Sequence, residues 1–161
     1  MNGEVSEATI PRQTASATRK APSLLYVVKA VELAIRAHLE DAVKPFGVTM
    51  LQYTALTVLE REESITAADL ARLSFVRAQS AADIVAALER GGYITRRRDP
   101  QQRRRLLIEL TPEGHALLER CAPAVAAVER DAFSGLDADE LDALRSGLSR
   151  TRRNLSARER S

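Results

Sequence analysis

The run Tyr93-Ile94-Thr95-Arg96-Arg97-Arg98-Asp99-Pro100-Gln101-Gln102-Arg103-Arg104-Arg105-Leu106-Leu107-Ile108-Glu109-Leu110 holds six arginines between positions 96 and 105, with Asp99 the only acid among them. Two short β-prone segments flank Asp99-Pro100-Gln101-Gln102, and that pattern predicts a hairpin with a strongly positive tip. Pro100 presets a turn, and Asp99 can fold its side chain onto the following backbone. An exposed, arginine-tipped hairpin has no place in a core. Its chemistry suits phosphate.

Before the hairpin lie four helical segments. Leu24, Val28, Val31, Ile35 and Leu39 recur at helical spacing and predict a helix from Pro22, placed in its first turn, to about residue 43. Pro45-Phe46-Gly47 ends it. Thr49 with Gln52 forms a capping box for a second helix along Leu51, Ala55, Val58 and Leu59. Ser64-Ile65-Thr66 is too short to stand alone as a strand but can pair with the hairpin edge. Thr66 with Asp69 opens a third, short helix through Ala71 and Leu73. After a break at Ser74-Phe75, a fourth helix buries Ala81, Ile84, Val85 and Leu88, and Gly91-Gly92 stops it.

Beyond the hairpin, Thr111 and Pro112 start a fifth helix with the stripe Leu118, Cys121, Val125, Val128 and Ala132, which Pro123 should kink. Asp137 with Glu140 caps a sixth, striped by Leu141, Leu144, Leu148 and Leu155. Helix, short helix, helix and β-hairpin form the layout of a winged helix-turn-helix, whose last helix fits a major groove and whose wing reaches the backbone or minor groove. The expected fold is therefore mainly α with a small β-hairpin wing. Residues 1–21, polar and without period, read as a disordered tail. Residues 22–45 and 112–158 read as dimerisation helices, and 46–111 as the DNA-binding region. A winged unit is too small to cover the apolar faces of both flanking regions, so Leu24, Val28, Val31, Leu141, Leu144 and Leu148 are expected to meet a second copy.

The 161 residues suit one domain, and three Tyr, three Phe and no Trp fit a helical core rich in Leu, Ala and Val. The net charge is only +2. Residues 75–105 hold eight arginines against Asp83, Glu89 and Asp99, a local +5 that leaves 2 − 5 = −3 for the remainder. A basic patch on a mildly acidic body is the footprint of a nucleic-acid binder. Cys121 is the sole cysteine, which excludes an intrachain disulfide, and as part of an apolar stripe it reads as core. His38 and His115 lack metal-ligand spacing, so neither a metal nor a cofactor is expected. There is no membrane-length apolar run and no signal-peptide pattern, and a cytoplasmic location is expected. Nucleophile–base pairs, paired carboxylates and phosphate loops do not stand out, which argues against an enzyme.

Leu70-Ala71, Leu88-Glu89-Arg90-Gly91-Gly92-Tyr93-Ile94, Arg97-Arg98-Asp99-Pro100, Arg103-Arg104 and Leu110-Thr111-Pro112-Glu113-Gly114 together resemble the MarR family of bacterial transcription regulators, over roughly residues 22–155. The resemblance implies a homodimer that binds a pseudo-palindromic operator in double-stranded DNA, represses transcription and is released by a small aromatic or phenolic effector. It matches Val76-Arg77-Ala78-Gln79-Ser80 to the start of the recognition helix. Arg77, Gln79 and Ser80 are then the candidates for base and phosphate contacts. It matches Arg104 to the arginine that enters the minor groove, with Arg103 at the tip, while Arg97 and Arg98 steer or hold phosphates. Two residues depart from the family pattern. Gln102 stands where many relatives have an Asp that fixes the wing arginine, and Asp83, with Ala87, stands where many have arginine. An acid at position 83 would weaken phosphate binding on that flank. These departures feed an alternative reading, a dimeric protein-interaction module that kept the winged fold without specific DNA reading.

Overall fold

The computed structural model describes residues 21–158. In chain order these form α1 (Leu24–Val43), a 3-10 turn (Lys44–Phe46), α2 (Met50–Glu62), α3 (Ala67–Leu73), α4 (Ala78–Arg90), β1 (Ile94–Arg98), β2 (Leu106–Leu110), α5 (Pro112–Ala132) and α6 (Ala138–Arg158). The tail expected over residues 1–21 lies, except for its last residue, outside the described residues.

Side-chain caps start most of these helices by satisfying backbone N–H groups that the first turn leaves free. Thr49 and Gln52 exchange both capping-box hydrogen bonds at α2, and Thr66 and Asp69 do so at α3. Asp137 and Glu140 exchange two of 2.9 Å at α6. At α1 the cap is Ser23, whose hydroxyl accepts from Tyr26 N–H, so Pro22 precedes the helix instead of occupying its first turn. Pro45 does not simply end α1 either. It continues into the 3-10 turn, which closes at Gly47 with φ of 79°.

α3 and α4 end in the same hydrogen-bond pattern. Past α4, Tyr93 N–H bonds Leu88 O and Gly92 N–H bonds Glu89 O, with Gly92 at φ of 75°. Past α3, Val76 N–H bonds Ala71 O and Phe75 N–H bonds Arg72 O, but the left-handed position is held by Phe75 at φ of 56°. A side chain there costs roughly 1–2 kcal/mol, because Cβ crowds the following carbonyl. Phe75 is nevertheless 78% exposed, so burial of the ring within the protomer does not offset that strain.

The core gathers where α2, α4, α5 and the hairpin converge on the end of α1. Leu56, Leu59, Leu70, Leu88, Ile108, Leu117, Val43 and Cys121 are its fully buried side chains. The face expected of α4, namely Ala81, Ile84, Val85 and Leu88, is the one it buries. Ile65 pairs with Ile108, donating to it at 3.3 Å and accepting from it at 2.7 Å, so the link before α3 adds a third rung to the hairpin. α5 continues through Pro123 as one helix. α6 packs only weakly on the rest of the protomer, and none of its described side chains is buried.

The hairpin meets α5 through a close backbone approach. Thr111 caps α5, donates its hydroxyl proton to Gly92 O at 2.7 Å, and bonds Tyr93 O through its N–H at 3.1 Å. This draws α5 so near β1 that a Cβ on Gly114 would collide with the Tyr93 carbonyl oxygen and meet Leu110 Cδ2 at 3.1 Å. Gly114→Ala is expected to destabilise the protein by about 2 kcal/mol, as overpacking does, and to lower Tm by roughly 4–8 °C in a thermal melt. Burial also pushes the Cys121 thiol above its usual range, although Arg120 pulls slightly the other way. Native protein should therefore resist a thiol-reactive chromophore that labels Cys121 at once in denaturant. Rapid labelling of the native state would show that the site opens.

Candidate nucleic-acid interface

β1 and β2 pair antiparallel, with Arg96 opposite Ile108, Arg97 opposite Leu107 and Arg98 opposite Leu106. The second strand starts at Leu106, and residues 99–105 form the connection, longer than the Asp99-Pro100-Gln101-Gln102 break read from the sequence. Two backbone bonds explain this. Arg105 N–H bonds Gln102 O at 2.8 Å, folding a turn, and Asp99 N–H bonds Arg105 O at 2.9 Å, closing the loop. Within it the Asp99 carboxylate accepts from Gln101 N–H at 2.8 Å, the local turn its sequence predicts.

The six arginines divide into two groups. Arg96 reaches back to Glu89 on α4, with its Nε at 3.1 Å from the carboxylate and a second, shorter contact through Nη2. Arg97 lies across the hairpin from Glu109, at 2.7 Å. Arg105 contacts Asp69 at the start of α3, at 3.3 Å. These carboxylates respond: Arg97 holds Glu109 below the usual range, and Arg96 does the same for Glu89. Asp69 is lowered first by the Thr66 hydroxyl and then by Arg72 and Arg105. Exposed pairs of this kind add little stability. Arg96 and Arg105 orient the stem of the wing toward α4 and α3, and Arg97 bridges the two strands.

Arg98, Arg103 and Arg104 form no ion pair among the described residues. Arg98 only touches the Arg103 carbonyl, at 3.5 Å. Three uncompensated guanidinium groups thus project from the outer wing. Arg97, which the sequence grouped with Arg98, is instead committed to Glu109.

α4 begins at Ala78, and its N-cap residue Arg77 makes no side-chain capping bond, which leaves the first N–H groups and positive dipole end open to an anion. Arg77 and Gln79 are exposed there. Ser80 is half-buried and turns to a neighbouring cleft. Asp83 is exposed one turn beyond Gln79 and accepts from Gln79 Nε2 at 3.3 Å.

That cleft, about 1000 Å³, runs between α1 and α6 on one side and α2 with the α3–α4 turn on the other. Val31, Ile35, Leu51 and Val76 line it, with Phe75 and Arg77 at its α4 end. The buried Ser74 hydroxyl, also on its wall, has no hydrogen-bond partner among the described residues. Sequence reasoning had no signal for the cleft, because its walls come from four separate segments. It also missed Asp69, Glu89 and Glu109 as wing partners. Among the described residues, no helix is long and apolar enough to cross a membrane, and no group of three or more His, Cys, Asp or Glu could hold a metal ion.

Comparison with known proteins adds four findings. A family model described as the MarR family matches residues 46–105, which run from the last residue of the 3-10 turn through α2, α3, α4 and β1 to the end of the wing loop, just before β2. An HTH-type transcriptional repressor of Mycobacterium tuberculosis is 30% identical over 117 residues, 73% of this chain and 82% of its own. Among solved structures, a mutant MarR from E. coli complexed with operator DNA aligns with a TM-score of 0.72 at 23% identity, over 80% of this chain and 92% of that one. BpsR of Bordetella bronchiseptica, in a structure concerned with regulation of its DNA binding by 6-hydroxynicotinic acid, has a TM-score of 0.72 at 20% identity, over the same shares of each chain. These two structures share the fold. With the winged helix-turn-helix geometry and the sequence match together, the chain belongs to the MarR family of transcriptional regulators.

Proposed function

We propose that the chain acts as a homodimer that binds a pseudo-palindromic operator, represses transcription by occupying it, and is released by a small aromatic effector. The observation that carries the DNA reading is the pairing of an uncapped, exposed α4 start with three unpaired arginines on the outer wing. α4 enters the major groove, where Arg77 meets phosphate or guanine and Gln79 meets a base edge. Arg103 and Arg104 reach the minor groove, and Arg98 holds the backbone beside it. Ser80 serves the cleft more than the groove.

Dimerisation is supported by apolar surface that the protomer leaves uncovered. Leu24 is 82% exposed, and Val28, Val31, Leu144 and Leu148 are each about half exposed, while Leu141 is half-buried. Monomers rarely leave such a contiguous patch. Residues 22–45 and 112–158 then form the interface and residues 46–111 the DNA-binding unit. Two-fold symmetry sets half-sites about 10 bp apart.

The cleft lies between these two parts, so an occupant changes how α4 sits relative to the dimer helices. Its apolar walls suit a small aromatic body, and the unpartnered Ser74 hydroxyl suits one polar substituent. Release follows only if that ligand prefers the conformation that fits DNA poorly. The mutant MarR–operator complex and the regulation of BpsR by 6-hydroxynicotinic acid are consistent precedents in similar folds.

A titration of upstream duplexes should find one palindrome bound tightly, with steep loss on added salt and a loss of about tenfold or more in Arg104→Ala. Equal affinity for all duplexes would instead favour the protein-interaction reading. For the dimer, Leu144→Glu with Leu148→Glu should sediment as a folded monomer and lose operator binding. A double variant that remains dimeric would place the interface elsewhere.

A further inference from the structure

The outward row of α4 is Gln79, Asp83, Ala86 and Arg90, at spacings of four, three and four, which share one helix face. It lies opposite the buried row of Ala81, Ile84, Val85 and Leu88. Asp83 is the acid in this row. It sits in the second turn, beyond reach of the first-turn dipole effect, and forms no ion pair among the described residues. Its one hydrogen-bond partner among the described residues is Gln79, an i,i+4 pair that adds little to helix stability, and toward a polyanion an unpaired carboxylate costs affinity.

We propose that Asp83 is a specificity-determining residue, which accepts a hydrogen bond from a cytosine amino group in the major groove and holds Gln79 in register to read a neighbouring adenine. The inference rests on α4 being the recognition helix of an operator-binding dimer. An ionised carboxylate only accepts hydrogen bonds, so the Gln79 atom facing Asp83 at 3.3 Å must be its NH₂ group. That leaves the Gln79 carbonyl and one N–H free, the set that matches N6 and N7 of adenine. Asp83 keeps its second oxygen for a donor. In the major groove the donors are the amino groups of cytosine and adenine, and the pairing of carboxylates is with cytosine. Exposed Ala82 beside the row carries only a methyl group, so the helix can approach the bases closely. Asp83 thus trades general phosphate affinity for choice of sequence.

The test is selection from a random duplex pool by the full chain, by Asp83→Asn and by Asp83→Ala. The wild-type half-site should carry adenine and cytosine at neighbouring positions. In Asp83→Ala the cytosine preference should fall by roughly tenfold. In Asp83→Asn it should turn toward adenine, which asparagine reads, with the other positions unchanged. If both variants select the wild-type motif, and Asp83→Asn only binds every duplex more tightly, Asp83 merely repels phosphate and the inference is overturned. If wild type selects no motif at all, the operator reading falls and takes the inference with it, so the two failures are distinct.

Discussion

Ile108 is the contact on which the wing depends. A hairpin whose outer half is arginine cannot hold itself against the protein through its own exposed surface. Ile108 is only 1% exposed and Ile94, in the partner strand, only 3%. Through both backbone groups Ile108 also pairs with Ile65, which ties the wing to the link that opens α3. The same hydrophobic cluster holds Leu59 and Leu88, so the wing and α4 share one buried base. Burial at the root lets the tip be made entirely for a partner.

Electrostatics refines this picture. A count along the sequence treats six neighbouring arginines as one block, whose mutual repulsion would call for a polyanion. In the fold, Glu89, Asp69 and Glu109 each take one of them. The stem is thereby close to neutral and oriented, and uncompensated charge is confined to Arg98, Arg103 and Arg104. A smaller, directed charge favours a defined docking geometry over general adhesion to DNA. Gln102 fits this arrangement: Asp69 and Glu89 orient the stem, while Arg104 makes no ion pair among the described residues.

The cleft lies between two parts of the protomer. Its walls belong partly to helices with unburied apolar faces and partly to the α3–α4 turn, where Phe75 occupies a backbone conformation that glycine would hold without cost. Strain of that kind persists where surrounding structure over-determines it, and it clusters at ligand clamps and switch regions. Here it stands two residues before Arg77, at the junction between the cleft and α4.

Much of the fold was legible in the sequence because its signals are local. Capping boxes at Thr49, Thr66 and Asp137 act over three residues. The α4 stripe repeats over three or four, and the Asp99 turn over two. Each is decided by neighbours along the chain, so each could be read from composition and spacing. The 3-10 turn at Pro45 and the later start of β2 were not legible, since either backbone path suits the same residues until the turn hydrogen bonds are made. Tertiary structure alone decided which arginines are free, because Arg105 meets an acid 36 positions earlier and Arg97 one 12 later. It alone turned Ser80 toward the cleft, set Asp83 beside Gln79 on the exposed row, and left α6 without a buried side chain among those described. The basic stretch announced a wing; the long-range packing beneath it determined which three of its six charges reach outward.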